Sequence, residues 1–314
     1  MKIKQKLFLA FLVIASLVGV VGYISITTSQ EALKESVGQA ALRLTSRTLH
    51  DLDHGIFTRA EELQAFAKDL SLEKKAAASN AQFDKIPNVQ AHIRKIDKDW
   101  IDKKDSPFIQ GILSNELSST LTKHIEFYKQ KYGYGVIAEM YVTNRYGVVI
   151  GLTGRTSDYL QADEGWYQRA VAEKGFWVGE VEYDESSKTF AIDIVVNLYD
   201  NDRNFVGIVK GVLNLEDIRK AIDEMQARSQ YRSMQPYLVD RKGLLVFSGL
   251  DPSHRKLGRD VRLEEFGKDL SSRRAVIQAS QGNEGFSVGT EAGKQKLVVF
   301  SHRGLGNSGG WIDP

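Results

Sequence analysis

The chain has 314 residues, of which 42 are Lys or Arg and 40 are Asp or Glu, and it contains no cysteine. This length suits one large or two medium globular units, because domains commonly take about 100–200 residues each. The absence of cysteine excludes a disulfide scaffold, a thiol nucleophile and every thiolate-bound metal or iron–sulfur centre. The net charge of +2 gives no general attraction to nucleic acid, so we expect no nucleic-acid partner.

An apolar segment near the N-terminus predicts a membrane anchor. Lys2, Lys4 and Lys6 precede Leu7–Ile26, a run of 20 residues without a charge. As a helix that rises about 1.5 Å per residue, such a run crosses the hydrocarbon core of a bilayer. A cleaved signal peptide is the alternative, but the run is long for one and no clear cleavage site follows it. We expect residues 1–28 to be a cytoplasmic tip and a single anchor in the lipid of the inner membrane, with the folded domain in the periplasm.

Residues 29–135 have the pattern of helices. From Ser29 onward, apolar or small residues recur every three or four positions, which is typical of one face of an amphipathic helix. This stripe consists of Leu33, Val37, Ala41, Leu44, Thr48, Leu52, Ile56, Arg59, Leu63, Phe66 and Leu70. We expect one long stalk helix that continues the membrane helix and pairs with a second copy in a homodimer. The pattern of Ile109–Lys131 predicts a further amphipathic helix.

After Gly135 the pattern changes to strands and turns. Residues 136–225 are predicted to form a membrane-distal lobe with a short helix and five strands. The predicted strands are Ile137–Thr143, Val148–Leu152, Gly175–Tyr183, Phe190–Leu198 and Phe205–Leu215. A smaller version of the same plan recurs in residues 226–314, which we expect to be a truncated membrane-proximal lobe. The predicted fold class is α+β, with an N-terminal transmembrane helix, a long stalk helix and two tandem antiparallel-sheet lobes.

The order of these elements and three phrases within them resemble a known family. The phrases are Val142–Val148, Gly179–Ser186 and Val206–Leu213. With the anchor and the stalk, they resemble the double Cache domain, a PAS-like extracytoplasmic sensor of bacterial transmembrane receptors such as histidine kinases, chemoreceptors and diguanylate cyclases. The resemblance implies two PAS-like lobes and a small-molecule ligand. It also implies a cytoplasmic signalling domain, which is missing here or lies on a separate chain.

A loop that runs into a short helix carries the candidate binding residues. These residues are Tyr159, Asp163, Glu164, Trp166 and Tyr167. Aromatic rings beside carboxylates suit a small cation, through cation–π contacts and charge-assisted hydrogen bonds. Residues on neighbouring strands are expected to converge on the same pocket: Tyr141, Tyr183, Asp184 and Asp193. In the alternative interpretation, Trp166 and Tyr167 complete the core of the lobe and Asp163 caps the following helix.

The resemblance also bears on the ligand. An amino-acid-binding subgroup of the family has a tyrosine, an arginine five residues later, and then Trp-Tyr. Tyr159, Trp166 and Tyr167 keep that spacing here, but Glu164 stands where the arginine would be. The same subgroup has an aspartate, its amine anchor, at the position that aligns with Asn214. Because both charged anchors differ, we expect an amine or another small cation as the ligand rather than an α-amino acid.

We expect no catalytic residue, metal ligand or cofactor. The sequence contains no GxSxG, HExxH, P-loop or kinase signature. His50 and His54 share a helix face without an obvious third metal ligand, and Gly304–Gly309 matches GxGxxG without a following helix. Two functions stay open: the input module of a membrane-bound signalling receptor, and a membrane-tethered binding or scaffold protein without an output domain of its own.

Overall fold

The computed structural model describes residues 3–103, 105–173, 175–184, 189–214, 216–231, 233–249, 265–291 and 293–303. The helices are α1 (Ile3–Ala67), α2 (Leu70–Phe83), α3 (Val89–Asp102), α4 (Pro107–Leu113), α5 (Glu116–Tyr132), α6 (Gly165–Glu173), α7 (Glu216–Arg228) and α8 (Arg274–Ser280). The strands are β1 (Ile137–Asn144), β2 (Val149–Leu152), β3 (Phe176–Asp184), β4 (Thr189–Tyr199), β5 (Phe205–Asn214), β6 (Tyr237–Val239), β7 (Leu245–Ser248), β8 (Gly285–Glu291) and β9 (Lys294–Phe300). This combination of helices with antiparallel sheets confirms the predicted α+β class.

The chain divides into two compact units. The first consists of Met1–His50, Arg241–Gly243 and Asp269–Arg303, and the second includes Asp51–Asp240 and Leu244–Lys268. Helix α1 contributes residues to both units. The predicted domain boundaries, after residues 28, 135 and 225, remain predictions.

Helix α1 runs without a break through the apolar run and the predicted stalk. Its early apolar side chains, including Phe8 and Phe11, are exposed, and this part is long and apolar enough to cross a membrane. The helix ends at Ala67, three residues before the predicted stripe ends. The Asp69 side chain accepts a hydrogen bond from the Ser71 amide (2.8 Å) and so caps a new helix, α2, at this point.

The predicted helix Ile109–Lys131 is two helices, α4 and α5. The break lies at Asn115, whose side-chain oxygen accepts a hydrogen bond from the Ser118 amide (2.8 Å) and caps α5. The same side chain donates to the carbonyl of Ile150 in β2 (2.8 Å). Asparagine favours a helix cap over a helix interior, because its side chain competes for backbone hydrogen bonds. This cap therefore splits the predicted helix.

Within the first unit, α1 lies against the antiparallel hairpin β8–β9. A side chain at Gly38 would place its Cβ only 2.5 Å from the Phe286 ring, so the absence of a side chain permits this close packing. The Ser46 hydroxyl donates to the Glu284 carboxylate (3.0 Å) and shares a hydrogen bond with the Ser301 hydroxyl (2.9 Å).

The second unit contains a five-stranded antiparallel sheet in the order β2-β1-β5-β4-β3. Strand β5 lies at its centre and pairs with β1 and β4. Successive residues of a strand point to opposite faces of the sheet. The face that packs against α1, α2 and α5, here called the helix face, bears Met140, Val142, Ile192, Ile194, Val196, Val209 and Leu213, all buried in one apolar cluster. The opposite face, here called the site face, bears Tyr141, Asp193, Val195, Ile208 and Lys210.

Candidate functional site

Three adjacent strands bring aromatic and charged side chains together on the site face. Tyr141 of β1 and Val195 of β4 each pair directly with Lys210 of β5. Residues that pair across antiparallel strands lie on the same face with neighbouring side chains. Asp193 is two residues from Val195 along β4 and so faces the same way. The register therefore gathers Tyr141, Asp193 and Lys210 at the centre of the sheet.

Lys210 is a buried ammonium group held by a carboxylate and two aromatic rings. Its side chain is only 6% exposed, and its Nζ lies 2.6 Å from Oδ2 of Asp193. The same Nζ is 4.6 Å from the ring centroid of Trp166 and 5.6 Å from that of Tyr141. Lysine is almost never fully buried unless it is paired, and cation–π contacts strengthen when water is excluded. We call Tyr141, Trp166 and Asp193 the ammonium box.

The loop between β2 and α6 positions Trp166 in this box. The Tyr141 hydroxyl donates to Oε1 of the buried Gln161 (3.1 Å), whose Nε2 donates to Oδ1 of Asp158 (2.5 Å). The backbone amide of Gln161 donates to the carbonyl of Gly147 (2.7 Å), and this hydrogen bond connects the loop to the β1–β2 turn. Trp166 follows at the start of α6, with its ring edge-on to Tyr141 at 5.9 Å between centroids.

Helix α3 holds the same loop from the other side. Oδ1 of Asp97 accepts hydrogen bonds from the amides of Tyr159 and Leu160, each at 2.9 Å. The indole Nε1 of the buried Trp100 donates to the carbonyl of Thr156 (3.0 Å). Fixed backbone geometry on both sides means that the loop presents its carboxylates from a rigid support.

Several carboxylates of the loop and of α3 lie close enough to interact with one another. Partial burial raises the pKa of Asp158, and repulsion from Asp97 and Asp163 adds to the rise. Glu164 is exposed, yet desolvation by its surroundings and repulsion from Asp158 and Asp163 raise its pKa as well, while the Lys210 ammonium acts in the opposite direction. Raised pKa values in neighbouring carboxyls mark a place where additional positive charge is favourable.

Tyr159 and Tyr167, both predicted to bind ligand, are buried in apolar clusters next to the site. The Tyr159 ring is buried against Trp100 and Phe108, with centroids 5.6 Å and 5.5 Å away, and its burial raises its pKa. The Tyr167 ring is buried on the site face, where burial raises its pKa to about 12, and its hydroxyl donates to the carbonyl of Arg145 (3.2 Å). Both tyrosine side chains are therefore engaged in packing contacts within the protein.

The remaining predicted residues differ in how far the structure describes them. The side chains of Tyr183 and Asp184 lie outside the described residues, although the backbone of their strand pairs with β4. Asp193 belongs to the ammonium box. Asn214 lies on the site face of β5 but four residues beyond Lys210, opposite Ala191. The structure thus brings Tyr141, Asp193 and Trp166 together and places Asn214 farther along the same strand.

Three residues of the site were missing from the sequence prediction: Lys210, Gln161 and Asp158. Lys210 had a signal, because it is the one charged residue in the apolar strand segment Phe205–Leu213. A charge inside such a segment needs a buried partner. Gln161 and Asp158 had no signal in the sequence, since their roles depend on how the loop folds back on β1.

The described part of the chain contains no group of three or more His, Asp or Glu side chains arranged to hold a metal ion. The pair His50 and His54, considered above, does not belong to such a group. The glycine-rich segment Gly304–Gly309 lies outside the described residues.

Comparison with known proteins finds several solved structures to which this chain is similar. An extracellular ligand binding receptor from Desulfohalobium retbaense is 15% identical with a TM-score of 0.39, over 72% of this chain and 36% of that one, so this chain spans about a third of that receptor. The ligand-binding domain of the Campylobacter jejuni chemoreceptor Tlp3, solved with 4-methylisoleucine, is 14% identical with a TM-score of 0.39, over 76% and 84% of the two chains. The ligand-binding domain of the Pseudomonas aeruginosa amino acid chemoreceptor PctB, solved with L-Gln, is 16% identical with a TM-score of 0.36, over 66% and 81%.

The family comparison covers nearly the whole chain. None of the curated proteins matches the sequence significantly. A family model described as Cache domain, in its double form (dCache), matches residues 29–312. The match begins where the charge-free run of α1 has ended and takes in both units. The chain belongs to the Cache domain family, whose members are sensory ligand-binding modules of signal transduction.

Proposed function

We propose that the chain is the extracytoplasmic sensing module of a membrane-bound signalling receptor, and that its ligand is a small amine or another small cation. The apolar part of α1 anchors the module in the inner membrane, and the site face of the second unit binds the ligand. The exposed apolar run of α1 supports the first statement, and the family assignment supports a sensory role.

One observation carries the ligand class: the site already holds an ammonium group. Nζ of Lys210 has an ion pair with Asp193 and lies over the rings of Trp166 and Tyr141. A ligand amine needs the same three contacts. The raised pKa of Glu164 adds to this, because a cation nearby relieves the repulsion among the carboxylates of the loop.

The position of β5 supports a sensing function. Lys210 points to the site face, and the next residue, Gly211, points to the helix face. A Cβ placed on Gly211 would lie 3.1 Å from Cδ2 of Leu63 in α1, so the strand and the helix are in close contact there. A ligand that shifts β5 also changes the packing of α1, and such differential contact is what a signalling transition requires.

We further propose that two copies pair through α1. Leu33 belongs to the predicted stripe but is 65% exposed in the single chain, so it is available to a second copy. Because the chain has no cysteine, Leu33→Cys is a clean crosslinking probe. In membranes we expect a disulfide-linked dimer from this variant, and Lys34→Cys, on the neighbouring position of the helix, should crosslink less.

Isothermal titration of the full chain in lipid nanodiscs tests the ligand class. The four probes are propylammonium, propionate, propanol and alanine, which differ mainly in charge. We expect measurable binding of propylammonium and none of propionate or propanol. Trp166→Ala should abolish the binding by removing one cation–π face. Binding of alanine without binding of propylammonium would contradict a simple amine as the ligand.

A further inference from the structure

Lys210 is a residue whose role the proposed function leaves open. We propose that Lys210 is an internal competitor of the ligand: its ammonium group occupies the ammonium box, and a ligand ammonium enters only when Lys210 leaves. Lys210 thereby determines which cations bind. This inference rests on the proposed function, because it concerns the same site.

The Lys210 ammonium and a ligand ammonium would use the same atoms of the ammonium box. Nζ of Lys210 is 2.6 Å from Asp193 Oδ2 and 4.6 Å from the Trp166 ring centroid. These are contact distances, so a second ammonium group cannot hold the same carboxylate oxygen and the same ring face at once. Two like charges at such a separation also repel strongly where water is excluded.

The Lys210 side chain has a second carboxylate, that of Glu164, as an alternative partner. Lysine carries its charge on a flexible four-carbon stem. The exposed Glu164 lies two residues before Trp166, whose ring covers the Lys210 ammonium, and that ammonium acts to lower the pKa of the Glu164 carboxyl. A swing of the lysine side chain toward Glu164 therefore replaces one carboxylate partner by another and moves the ammonium toward solvent.

Occupancy of the ammonium box by Lys210 lowers the affinity of the site for its ligand. When the binding-competent form is only a fraction of the population, the apparent dissociation constant is the intrinsic value divided by that fraction. If the box is free of Lys210 for about one tenth of the time, ligand affinity is lowered about tenfold. Cations that contact only the two rings and Asp193 therefore bind weakly. Cations that make additional contacts with the protein overcome this loss, so the site prefers them.

The experiment compares propylammonium binding by the full chain in lipid nanodiscs with and without Lys210. Lys210→Met keeps a long unbranched stem and removes the charge. We expect the variant to bind propylammonium about tenfold more tightly than the wild type. Lys210→Arg keeps a cation in the box and should bind no more tightly than the wild type. If Lys210→Met does not fold, as judged by circular dichroism, Lys210→Gln takes its place with the same expectation.

A matched control uses another lysine that lies over a tyrosine. Nζ of Lys220 is 3.5 Å from the ring centroid of Tyr134, and Tyr134 packs against the apolar cluster of the helix face. Lys220→Met makes the same chemical change outside the site, and we expect unchanged affinity. If losing a lysine only disturbed the structure, propylammonium binding would weaken in both Lys210→Met and Lys220→Met. If Lys210 competes with the ligand, binding strengthens in Lys210→Met alone.

Chemical labelling of the wild-type chain follows the displacement itself. Lys210 is 6% exposed and should react slowly with acetic anhydride. With propylammonium in large excess over the anhydride, which also acetylates the free amine, we expect acetylation of Lys210 relative to Lys220, measured by mass spectrometry of peptides from the same sample, to rise at least about threefold, because the side chain moves toward solvent. Labelling of Lys220 provides the reference. Continued protection of Lys210 in the presence of bound ligand would overturn the inference.

The outcomes separate the two proposals. Tighter binding by Lys210→Met supports the competitor role. Equal or weaker binding by Lys210→Met, with the wild type still binding propylammonium, overturns the competitor role and leaves the proposed function standing. If neither chain binds propylammonium, the proposed amine site fails and the inference fails with it.

Discussion

The two faces of the central sheet are both buried, but they are built differently. On the helix face, Val142, Ile194 and Val209 pack into a continuous apolar cluster with α1 and α2. On the site face, Lys210 and Asp193 lie among aromatic rings and form an ion pair. Burial alone therefore does not distinguish a core from a binding site. The distinction lies in whether the buried groups are polar and in what they are paired with.

Neighbouring residues of β5 show the contrast at its sharpest. Val209 and Gly211 face α1, while Lys210 between them faces the ammonium box. Since successive residues alternate between faces, one strand can serve a dry core and a polar site at once. The sheet thereby links the two regions without any additional element.

The largest expected effect comes from a charge on the helix face. Val209→Asp places a carboxylate at a position that is 0% exposed, within the apolar cluster. A buried charge without a partner is strongly destabilising, and we expect a loss of at least about 4 kcal/mol or a failure to fold. Urea unfolding of the full chain, followed by tryptophan fluorescence, measures the loss.

The matched variant on the site face is Val195→Asp. Val195 is also 0% exposed, but it pairs directly with Lys210. Because the Lys210 ammonium lies within reach of the new carboxylate, we expect this variant to lose about 2 kcal/mol less than Val209→Asp. Equal losses in the two variants would show that the faces do not differ in their tolerance of charge.

The next effect concerns the ion pair itself. Asp193→Asn removes the negative partner of a buried ammonium and should cost about 2 kcal/mol, less than a fully buried pair because Asp193 is 23% exposed. Lys210→Met removes the positive partner of this ion pair and should cost a similar amount. The double variant should be more stable than the sum of the two losses predicts, by at least about 1 kcal/mol. Additive losses would mean that the pair contributes nothing to folding.

A smaller effect tests the contact between β5 and α1. Gly211→Ala adds a Cβ that would lie 3.1 Å from Leu63 Cδ2, closer than comfortable packing allows. We expect a loss of about 1 kcal/mol in urea unfolding. Gly135→Ala is the control, since a Cβ there meets no atom within 4 Å. If both variants unfold alike, α1 and β5 are not tightly packed and the proposed route of signalling weakens.

The buried side of α1 was predictable from the sequence, because its signal is local. The apolar spacing of three and four predicted the buried side of α1 from Val37 to Phe66, and the structure buries or half-buries that stripe. The helix boundaries were less predictable. The caps at Asp69 and Asn115 are each made by a side-chain hydrogen bond to a backbone amide, and a pattern of apolar residues does not show where such a bond replaces helix continuation.

The site face was only partly predictable, because its arrangement depends on contacts between distant residues. Trp166 and Asp193 were candidates by residue type, and their common contact Lys210 was not among the candidates. The pairing of Tyr141 with Lys210 is set by the register of β1 against β5, and no local pattern gives that register. Tyr159 has the same chemistry as Tyr141, yet contacts with Trp100 and Phe108 direct its ring into the core beside α3 and α4.

The smallest expected effect is a dependence on pH that has opposite signs for two carboxyls. The pKa of Glu164 is raised above its ordinary value of 4.5, so the folded state holds this proton more tightly than the unfolded state. Its contribution to stability is present below pH 4.5 and is lost as the pH rises through the raised value. The melting temperature of the wild type relative to Glu164→Gln should therefore fall, by about 2 °C or less, between pH 4 and neutrality.

Asp200 shows the opposite dependence on pH, because hydrogen bonds from Asn204 lower its pKa below 3.8. Relative to Asp200→Asn, the wild type should lose stability as the pH falls below that value. If the melting temperature of the wild type relative to Glu164→Gln instead rose with pH, the ionised Glu164 carboxylate would be stabilised by cations of the protein itself. The carboxylates near the site would then not attract a further cation.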